Sequence, residues 1–556
     1  MKKLLIFGTC LVVVLVSVSY YAYTQKFEYP VGIVIPHHDM VAPIRQAYLA
    51  SISKNFQPKT IILISPDHFD ANVKPIISVT KSFSTALGSI ESDIELIKKL
   101  SLPLQESAFD TEHGITSLLQ DIKKNFPNAK LVPVMINRKA TYQNVTDFIQ
   151  LLNKNCPDCF LIASVDFSHT NTELGAQLHD IISIRELSAA NPIALYKKAE
   201  VDSPETLVAL VQWAQLHSAL KFKLDSHTNS GTLFDSVVGE MTTHIMGEYF
   251  RGAVKPQLQN NVTLMIGGDV MFAREVANQN NEQKSNTITK LIGDRFFWGV
   301  DGAIINLEGV FTSRNDDIEQ SWNNMPPVFR FDPSFIDALS RANIDTVLLA
   351  NNHTFDGGET DVQYTKLLLE NKNISVVGYP RNNSSVKIYT QGNTKVALMG
   401  FPTHENTEDI SLQVKQYVDK GYRVIVYLHW GEEYETLHSQ AQEELAQRLI
   451  DAGSSLIVGS HPHVVQDISL YKNTPIVYSL GNFLFDQSFA DTTQIGAVLG
   501  VTIHETGIEI FIVPVANYIN PNTLSEKMYT QSIQTWTQPW EDFKTKNKTY
   551  FFPFTK

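Results

Sequence analysis

The sequence predicts an α/β protein with two domains, each built on strands that end in polar residues able to perform chemistry. The chain has 556 residues, a length that fits two cores better than one. In both halves, short apolar runs rich in β-branched residues alternate with amphipathic stretches, which is typical of mostly parallel sheets with crossover helices. In the second half, five of these runs end at Asp, Glu, Asn or His. Because α/β sheets bind ligands at the carboxyl ends of their strands, these residues predict a shared site.

The composition is that of a globular protein and excludes one class of partner. Apolar residues make up 43% of the chain and charged residues 19%, and the formal net charge is −13. Affinity for a nucleic-acid backbone comes from clustered Lys and Arg, so we expect no nucleic-acid partner. The negative field instead favours the loading of divalent cations.

Residues 1–24 predict a membrane anchor. Lys2 and Lys3 precede Leu4–Val18, which carries no charge. Such a segment is either a cleavable signal peptide or a single transmembrane helix. The lack of a convincing small-x-small cleavage site and the tyrosines of Tyr20–Tyr23 favour an uncleaved anchor. We therefore expect the N-terminus inside the cell membrane and both domains outside it, or a secreted protein if the segment is cleaved.

Cys156 and Cys159 form a Cys-x-x-Cys pattern before the apolar run Phe160–Ala163. Inside a cell this pattern would indicate redox or zinc chemistry. Outside the membrane it predicts a local disulfide. With three cysteines in the chain, a four-thiolate zinc site is excluded.

In the first half, strands again end in histidines and carboxylates. Val31–Ile35 ends at Pro36-His37, and Thr60–Ile64 is followed by Pro66-Asp67-His68. Further along, Glu112-His113 opens a predicted helix, and Leu161–Ala163 is followed by Asp166-Phe167-Ser168-His169. These four motifs, in this order, resemble the Memo family, called AmmeMemoRadiSam system protein B in prokaryotes.

The resemblance implies a Memo-like domain over 27–253 with the α/β fold of extradiol dioxygenases. It also implies a metal site at His37 and His68, with Asp202 at the position of the family's Cys. Two histidines and a carboxylate suit Fe(II). His113, Asp166 and His169 would orient the ligands or act as acid and base. A binding domain without a reaction is the alternative.

The segment 254–261 contains Pro and lacks an apolar period, which predicts a linker. A second α/β domain then covers 262–517, with helical spacing at Pro333–Asn343, Asp361–Asn371 and Ser439–Gly453. A C-terminal extension, 518–556, is rich in aromatic residues that would pack back on this domain or meet the membrane surface.

Six motifs follow one another in the second domain, and together they resemble the CapA family of poly-γ-glutamate capsule synthesis proteins. They are Gly267-Gly268-Asp269-Val270-Met271, Asn306-Leu307-Glu308-Gly309, Asn351-Asn352-His353-Thr354-Phe355-Asp356, His429-Trp430-Gly431, Gly459-Ser460-His461-Pro462-His463 and Gly481-Asn482-Phe483. The resemblance implies a calcineurin-like metallophosphatase sandwich in an exported or membrane-anchored protein.

Hydrolysis of a phosphoester without a covalent intermediate is well served by two divalent metals. We expect Glu308 to bridge them, Asp269 and His463 to bind the first, and three other residues, Asn352, His429 and His461, to bind the second. Mixed oxygen and imidazole ligands suit Mn, Fe or Zn.

Three further residues complete the predicted site. His353 is placed to protonate a leaving oxygen, with Asp356 holding its ring. Asn482 is either a substrate contact or a turn residue. Met271 stands where the broader phosphatase pattern has a histidine, which weakens the first metal site.

The sequence thus favours a membrane-anchored, metal-dependent hydrolase of envelope polymer metabolism, with a metal-binding Memo-like domain. Its partners would be poly-γ-glutamate or another envelope polymer and the corresponding synthase. A non-catalytic accessory protein of poly-γ-glutamate synthesis or export is the alternative, and redox chemistry in the first domain is a third.

Overall fold

The computed structural model describes residues 29–70, 74–236, 238–251, 260–314, 327–379, 385–402, 407–516, 526–546 and 548–554. The predicted anchor at 1–24 and most of the predicted linker lie outside these residues. Within the described part of the chain, no helix has both the length and the hydropathy that a membrane span requires.

The described residues form two compact units. The first unit comprises 29–166, Glu205–Ser226 and 245–251, and the second comprises Phe167–Pro204, His227–His244 and 260–554. Part of the predicted Memo-like domain therefore groups with the second unit.

The first half of the chain contains ten strands and nine α-helices among the described residues. The strands are β1 (Pro30–Ile35), β2 (Thr60–Pro66), β3 (Ile76–Ser78), β4 (Phe83–Thr85), β5 (Gly88–Ile90), β6 (Lys130–Ile136), β7 (Phe160–Ser164), β8 (His169–Thr172), β9 (Lys221–Asn229) and β10 (Val238–Phe250). The helices are α1 (Ala42–Ser53), α2 (Ile94–Leu100), α3 (Ala108–Thr111), α4 (His113–Asn125), α5 (Tyr142–Asn155), α6 (Glu173–Ser188), α7 (Pro192–Lys198), α8 (Pro204–Leu216) and α9 (Ser230–Phe234).

The first unit has a mostly parallel sheet of order β3-β6-β2-β7-β1-β10. β1, β7, β2 and β6 are parallel to their neighbours, whereas β3 and β10 join antiparallel at the two edges. The apolar runs are buried on both faces, as covered parallel strands require. The predicted disulfide joins Cys156 and Cys159 directly before β7.

The second half contains sixteen strands and seven α-helices among the described residues. The strands are β11 (Val262–Val270), β12 (Gly302–Leu307), β13 (Val310–Phe311), β14 (Arg330–Phe331), β15 (Thr346–Leu348), β16 (Ser375–Val377), β17 (Lys387–Gln391), β18 (Thr394–Pro402), β19 (Arg423–His429), β20 (Ser454–Ser460), β21 (Ile468–Tyr471), β22 (Thr474–Val477), β23 (Asn482–Leu484), β24 (Ile495–Ile503), β25 (Gly507–Ala516) and β26 (Tyr550–Pro553). The helices are α10 (Arg274–Gln279), α11 (Thr289–Ile292), α12 (Ile336–Arg341), α13 (Gly358–Asn371), α14 (Thr407–Asp419), α15 (Gln440–Asp451) and α16 (Glu526–Thr537).

Two sheets pack face to face in the second unit. One has the order β16-β15-β12-β11-β24-β25-β26, with β23 paired to β11, and the other has the order β17-β18-β19-β20-β22-β21. Ile266, Leu398 and Leu456 belong to the fully buried core between them. Helices α12 and α13 cover the outer face of the first sheet, and α14 and α15 cover that of the second. The predicted α/β sandwich is confirmed.

The three predicted helices of this unit are present with shifted ends. The first is split, because Pro333 starts a 3₁₀ turn ahead of α12 and Asn343, with φ of 62°, ends the helix in the left-handed region. Ser439 forms a capping box with Gln442 and thereby fixes the start of α15.

The C-terminal segment packs on the second unit. β26 pairs antiparallel with β25 at the edge of the first sheet. Trp540 is fully buried, and Phe552 contributes to the same core. Trp540 and Phe552 of the C-terminal segment therefore pack in the apolar core of the second unit.

Candidate metal centres

The second-unit site lies where strands of both sheets end. Asp269 is the penultimate residue of β11, Glu308 follows β12, and His429 is the last residue of β19. His461 and His463 follow β20 directly. The carboxyl ends of parallel strands lie at one edge of their sheet. The packing of the two sheets brings two such edges together.

Two glycines allow this close packing. A Cβ on Gly268 would collide with the carbonyl oxygen of Gly481, which belongs to the segment preceding β23. A Cβ on Gly459 would collide with the carbonyl oxygen of Tyr478. The Gly-Asp and Gly-Ser-His motifs therefore use glycine to bring backbones together beside the ligands.

Glu308 is the residue common to two groups with metal-ligand spacing. Ligand atoms of Glu308, His461 and His463 lie within 4.8 Å of one another, and so do those of Asp269, Glu308 and His429. The structure thus groups Asp269 with His429. It also places Asp269 Oδ2 3.6 Å from Nδ1 of His463, its predicted partner. Glu308 therefore lies between the two groups, which is where a ligand that bridges two metal ions would have to lie.

The donor set fits divalent ions. Both carboxylate oxygens of Glu308 are buried, and no hydrogen-bond donor reaches them within the described residues. Burial, and then the charge of Asp269, raise the pKa of Glu308 well above its usual value. Burial also lowers the pKa of His463 to about 4. Buried carboxylates beside neutral imidazoles are stable when a cation supplies the missing charge.

The backbone of the His-Pro-His turn is constrained. His461 has φ of 98° and His463 has φ of 58°, both in the region that favours glycine. The His461 N–H donates to Asp269 at 3.1 Å, which ties this turn to β11. Such conformations cost about 1–3 kcal/mol each and cluster at functional sites.

Neighbouring amides orient the candidate ligands. His463 Nδ1 lies 2.9 Å from Asn482 Oδ1. Asn306 Nδ2 donates to Asp269 Oδ1 at 2.7 Å and lies 3.2 Å from His429 Nδ1. Asn482, predicted as a substrate contact or turn residue, is fully buried and orients His463. Asn306, for which the sequence predicts no role, stands two residues before Glu308 in the same motif.

Asn352 and His353 lie at the same edge. Asn352 Oδ1 is 2.8 Å from His429 Nε2. His353 Nε2 is 3.8 Å from Glu308, and its Nδ1 is 2.7 Å from Asp356. The ring of His353 also packs on Phe329, with centroids 4.1 Å apart. The predicted contact between His353 and Asp356 is therefore present in the structure.

Met271 occupies the position where the broader pattern has a histidine. Its side chain is fully buried and its sulfur accepts a hydrogen bond from the Ala273 N–H at 2.8 Å. This residue packs into the core and offers no imidazole to the site.

The first unit carries a separate cluster of imidazoles. Ligand atoms of His37, His68 and His113 lie within 4.8 Å of one another. His37 and His68 follow β1 and β2, whereas His113 begins α4. The sequence predicts that His113 orients a ligand or acts as an acid or base, and its position in the structure also makes it a candidate third ligand.

Buried carboxylates flank this cluster. Glu112 Oε1 accepts from His68 Nδ1 at 2.6 Å, and Asp166 lies 3.2 Å from His37 Nε2. Burial acts to raise the pKa of Glu112. The hydrogen bond from His68 and its charge have the larger effect, so the pKa of Glu112 is lowered. Carboxylate partners of this kind fix the orientation of metal-binding histidines.

Asp202 and His169 belong to the second unit. Asp202 stands two residues before α8, and His169 opens β8, where its N–H donates to Glu200 at 2.6 Å. A metal site formed by His37, His68 and Asp202 stays a prediction.

Each half of the chain matches a known protein family. Residues 263–487 match the family described as "Bacterial capsule synthesis protein PGA_cap". Residues 13–243 match the family described as "Memo-like protein".

Three relatives illustrate the two matches. "Capsule biosynthesis protein CapA" of Bacillus anthracis is 34% identical over 203 residues, which are 32% of this chain and 49% of that protein. "PGA biosynthesis protein CapA" of Bacillus subtilis (strain 168) is 29% identical over 262 residues, 43% of this chain and 67% of that protein. A "MEMO1 family protein" of Methanococcus vannielii is 25% identical over 239 residues, 38% of this chain and 83% of that protein.

The chain thus spans about half the length of the first CapA relative and about two thirds of the second. The matched segments follow one another along the sequence without overlap. The chain therefore joins a segment that matches the Memo-like family to a segment that matches the PGA_cap family.

Proposed function

We propose that this protein is a metal-dependent hydrolase of poly-γ-glutamate or another cell-envelope polymer, acting outside the cell membrane beside the polymer synthase. One observation carries the hydrolase assignment: the buried carboxylate of Glu308, which accepts no hydrogen bond from the described residues, lies among Asp269, His429, His461 and His463. The names of the two CapA relatives support the choice of polymer.

The residues of the second-unit site divide into those that would bind metal and those that would transfer a proton. Asp269, Glu308 and the three histidines would hold two divalent ions, which supply a polarising charge for substrate oxygens and an activated water. His353 would donate a proton to the leaving group. Asp356 stabilises the protonated ring through its contact with Nδ1.

The first-unit cluster supports a second role for metal in the same chain. His37, His68 and His113 would hold a single ion, with Fe as the predicted metal, and Glu112 and Asp166 would orient the rings. This part of the proposal concerns binding, because no reaction follows from the geometry.

One observation favours an accessory role instead. Met271 removes an imidazole from the first strand, so the site has one ligand fewer than the broader phosphatase pattern. A protein that binds poly-γ-glutamate or its synthase would tolerate this loss. It would not need the His353–Asp356 pair, which is retained.

Hydrolysis assays on the full chain test the proposal. The protein, loaded with Mn²⁺, Fe²⁺ or Zn²⁺ in turn, is given a generic phosphodiester and poly-γ-glutamate. We expect turnover of at least one substrate in a metal-dependent manner. A metal-replete protein that cleaves neither substrate, yet binds the polymer, would establish the accessory role.

A further inference from the structure

An arginine lies beside the second-unit centre in a stack of rings. The guanidinium carbon of Arg274 is 5.0 Å from the ring centroid of Phe329 and 5.7 Å from that of Phe485. Phe329 packs on His353, and Phe485 packs on His463 with centroids 4.7 Å apart. The stack therefore runs from the proposed proton donor to a candidate metal ligand, with a cation at its middle.

Asp486 holds this guanidinium in place. Arg274 Nε donates to Asp486 Oδ2 at 3.0 Å, and its Nη2 donates to Oδ1 of the same carboxylate. Asp486 also accepts the N–H of Glu275 at 3.1 Å. A bidentate pair of this kind fixes the plane of the guanidinium.

One end of the guanidinium remains available to a ligand. Nη1 of Arg274 has no hydrogen-bond partner within the described residues. The Arg274 side chain is 27% exposed to solvent. An arginine that served only to pair with Asp486 would not need this exposed face.

The backbone at this position is also unusual. Arg274 has φ of 48°, a region that residues with a Cβ seldom adopt. Such backbone outliers persist where the surrounding structure enforces them, often at ligand-binding sites. The conformation places a long cationic side chain at the start of α10, five residues beyond Asp269.

The positive charge of Arg274 lies among several negative charges around Glu308. Asp269, Glu433 and Asp356 lie within electrostatic reach of Glu308, and Arg274 opposes their negative charge. The whole chain carries a formal net charge of −13. An anionic ligand approaching this edge therefore needs local positive charge in addition to bound metal.

We propose that Arg274 binds an oxyanion of the substrate, a phosphate or carboxylate oxygen, and thereby makes the centre specific for anionic substrates. This inference rests on the proposed function and deepens it by naming the substrate class. Arginine suits the role because its planar fork matches both anions. A charged hydrogen bond contributes about 1.5–3 kcal/mol, which corresponds to roughly 10- to 100-fold in affinity.

Direct binding measurements test the inference without relying on turnover. Titration calorimetry on the full chain would follow inorganic phosphate in one arm and glutarate, a carboxylate probe, in the other. Each is measured with the Mn²⁺-loaded and the metal-free protein. We expect wild type to bind at least one of the two anions, and the stronger ligand identifies the oxyanion.

Two variants separate recognition from folding. Arg274→Gln leaves Asp486 buried without its partner and can destabilise the protein, so R274Q/D486N removes both charges together. We expect R274Q/D486N to keep its metal content and to bind the preferred anion about 10- to 100-fold more weakly. Arg341→Gln removes an exposed guanidinium that pairs with Asp294 and should bind as wild type does.

The outcomes are distinct from those of the hydrolysis assay. Wild-type affinity in a folded, metal-replete R274Q/D486N variant would overturn the inference, and so would a wild type that binds neither anion in either form. Arg274-dependent binding in a protein that hydrolyses nothing would support the inference and reject the hydrolase assignment.

Discussion

His463 donates a hydrogen bond from Nδ1 to Oδ1 of Asn482, 2.9 Å away. The direction is fixed because Asn482 Nδ2 is used in donating to Gln487 and to the Thr493 carbonyl. Nδ1 must therefore carry the ring proton. The lone pair remains on Nε2, which lies 3.7 Å from Glu308. Asn482 thus selects the tautomer of His463 that can bind a metal.

Asn482→Ala should weaken metal binding in the second unit by about 10- to 100-fold, because the ring of His463 loses the partner that orients it. Gln487→Ala removes an acceptor of Asn482 Nδ2 and leaves the contact with His463 intact, so it serves as the matched control, with affinity close to wild type. Competition with a chelator measures both. Equal affinity in the Ala variant and wild type would show that Asn482 has no orienting role.

His353 and His461 should differ in what their loss removes. His353→Ala is expected to slow turnover by about 10²–10⁴-fold with metal content retained, since this ring donates a proton. His461→Ala should lose activity together with metal. Elemental analysis and hydrolysis rates on the same samples distinguish the two. Loss of metal in the His353 variant would make it a ligand instead.

The sequence predicts Asp202, a residue of the second unit, as the third ligand beside His37 and His68, whereas the structure makes His113 of the first unit the candidate. We expect His113→Ala to lower the metal content of this unit, because its ring lies within 4.8 Å of the ligand atoms of His37 and His68. Asp202→Ala should lower it only if the predicted triad is correct. Both are made in a Glu308→Ala background, so that the second-unit centre contributes little metal. If the metal content is unchanged in the His113 variant but falls in the Asp202 variant, the predicted triad of His37, His68 and Asp202 is correct.

Glu200 should make the second unit sensitive to acid. Burial acts to raise its pKa, but His179, whose Nδ1 lies 3.6 Å from the carboxylate, and the charge of Arg295 lower the pKa to about 2. A carboxylate with a depressed pKa stabilises the fold above its unfolded pKa of about 4.5, and this contribution is lost as the pH falls from there towards 2. The shift corresponds to at most about 3 kcal/mol.

Glu200→Gln should therefore be less stable than wild type at neutral pH, and the difference should shrink as the pH falls below about 4.5. Denaturant unfolding across this range measures it. Glu541→Gln, which breaks only an exposed pair with Lys544, is the control. A difference for Glu200→Gln that does not vary with pH would contradict the electrostatic explanation.

The sequence could predict the strand-end residues because their signal is local. A β-branched run followed by Gly-Asp or Gly-Ser-His specifies both a buried strand and the polar group at its end. Asp269, Glu308, His429, His461 and His463 all lie at such ends in the structure. Ordered motifs then identified the two families, and that identification is confirmed.

The stack around Arg274 could not be predicted in this way. Arg274, Phe329 and Phe485 are far apart in sequence and contact one another only when β11, β23 and the segment before β14 come together. The grouping of Phe167–Pro204 with the second unit likewise depends on distant contacts. Arg185, for example, is fully buried and pairs with Asp301 at 2.7 Å.

The sequence by itself determined the α/β class, the two families, the disulfide and the residue types available at each strand end, because periodicity and motif order act over a few residues. Tertiary structure decided which of those residues meet, which atom of each faces the others, and which stay buried in an orienting role. Those properties depend on sheet packing and on the hydrogen bonds left to each side chain. Asn482 shows the difference: its motif marked it as important, but only its contacts show that it acts on His463.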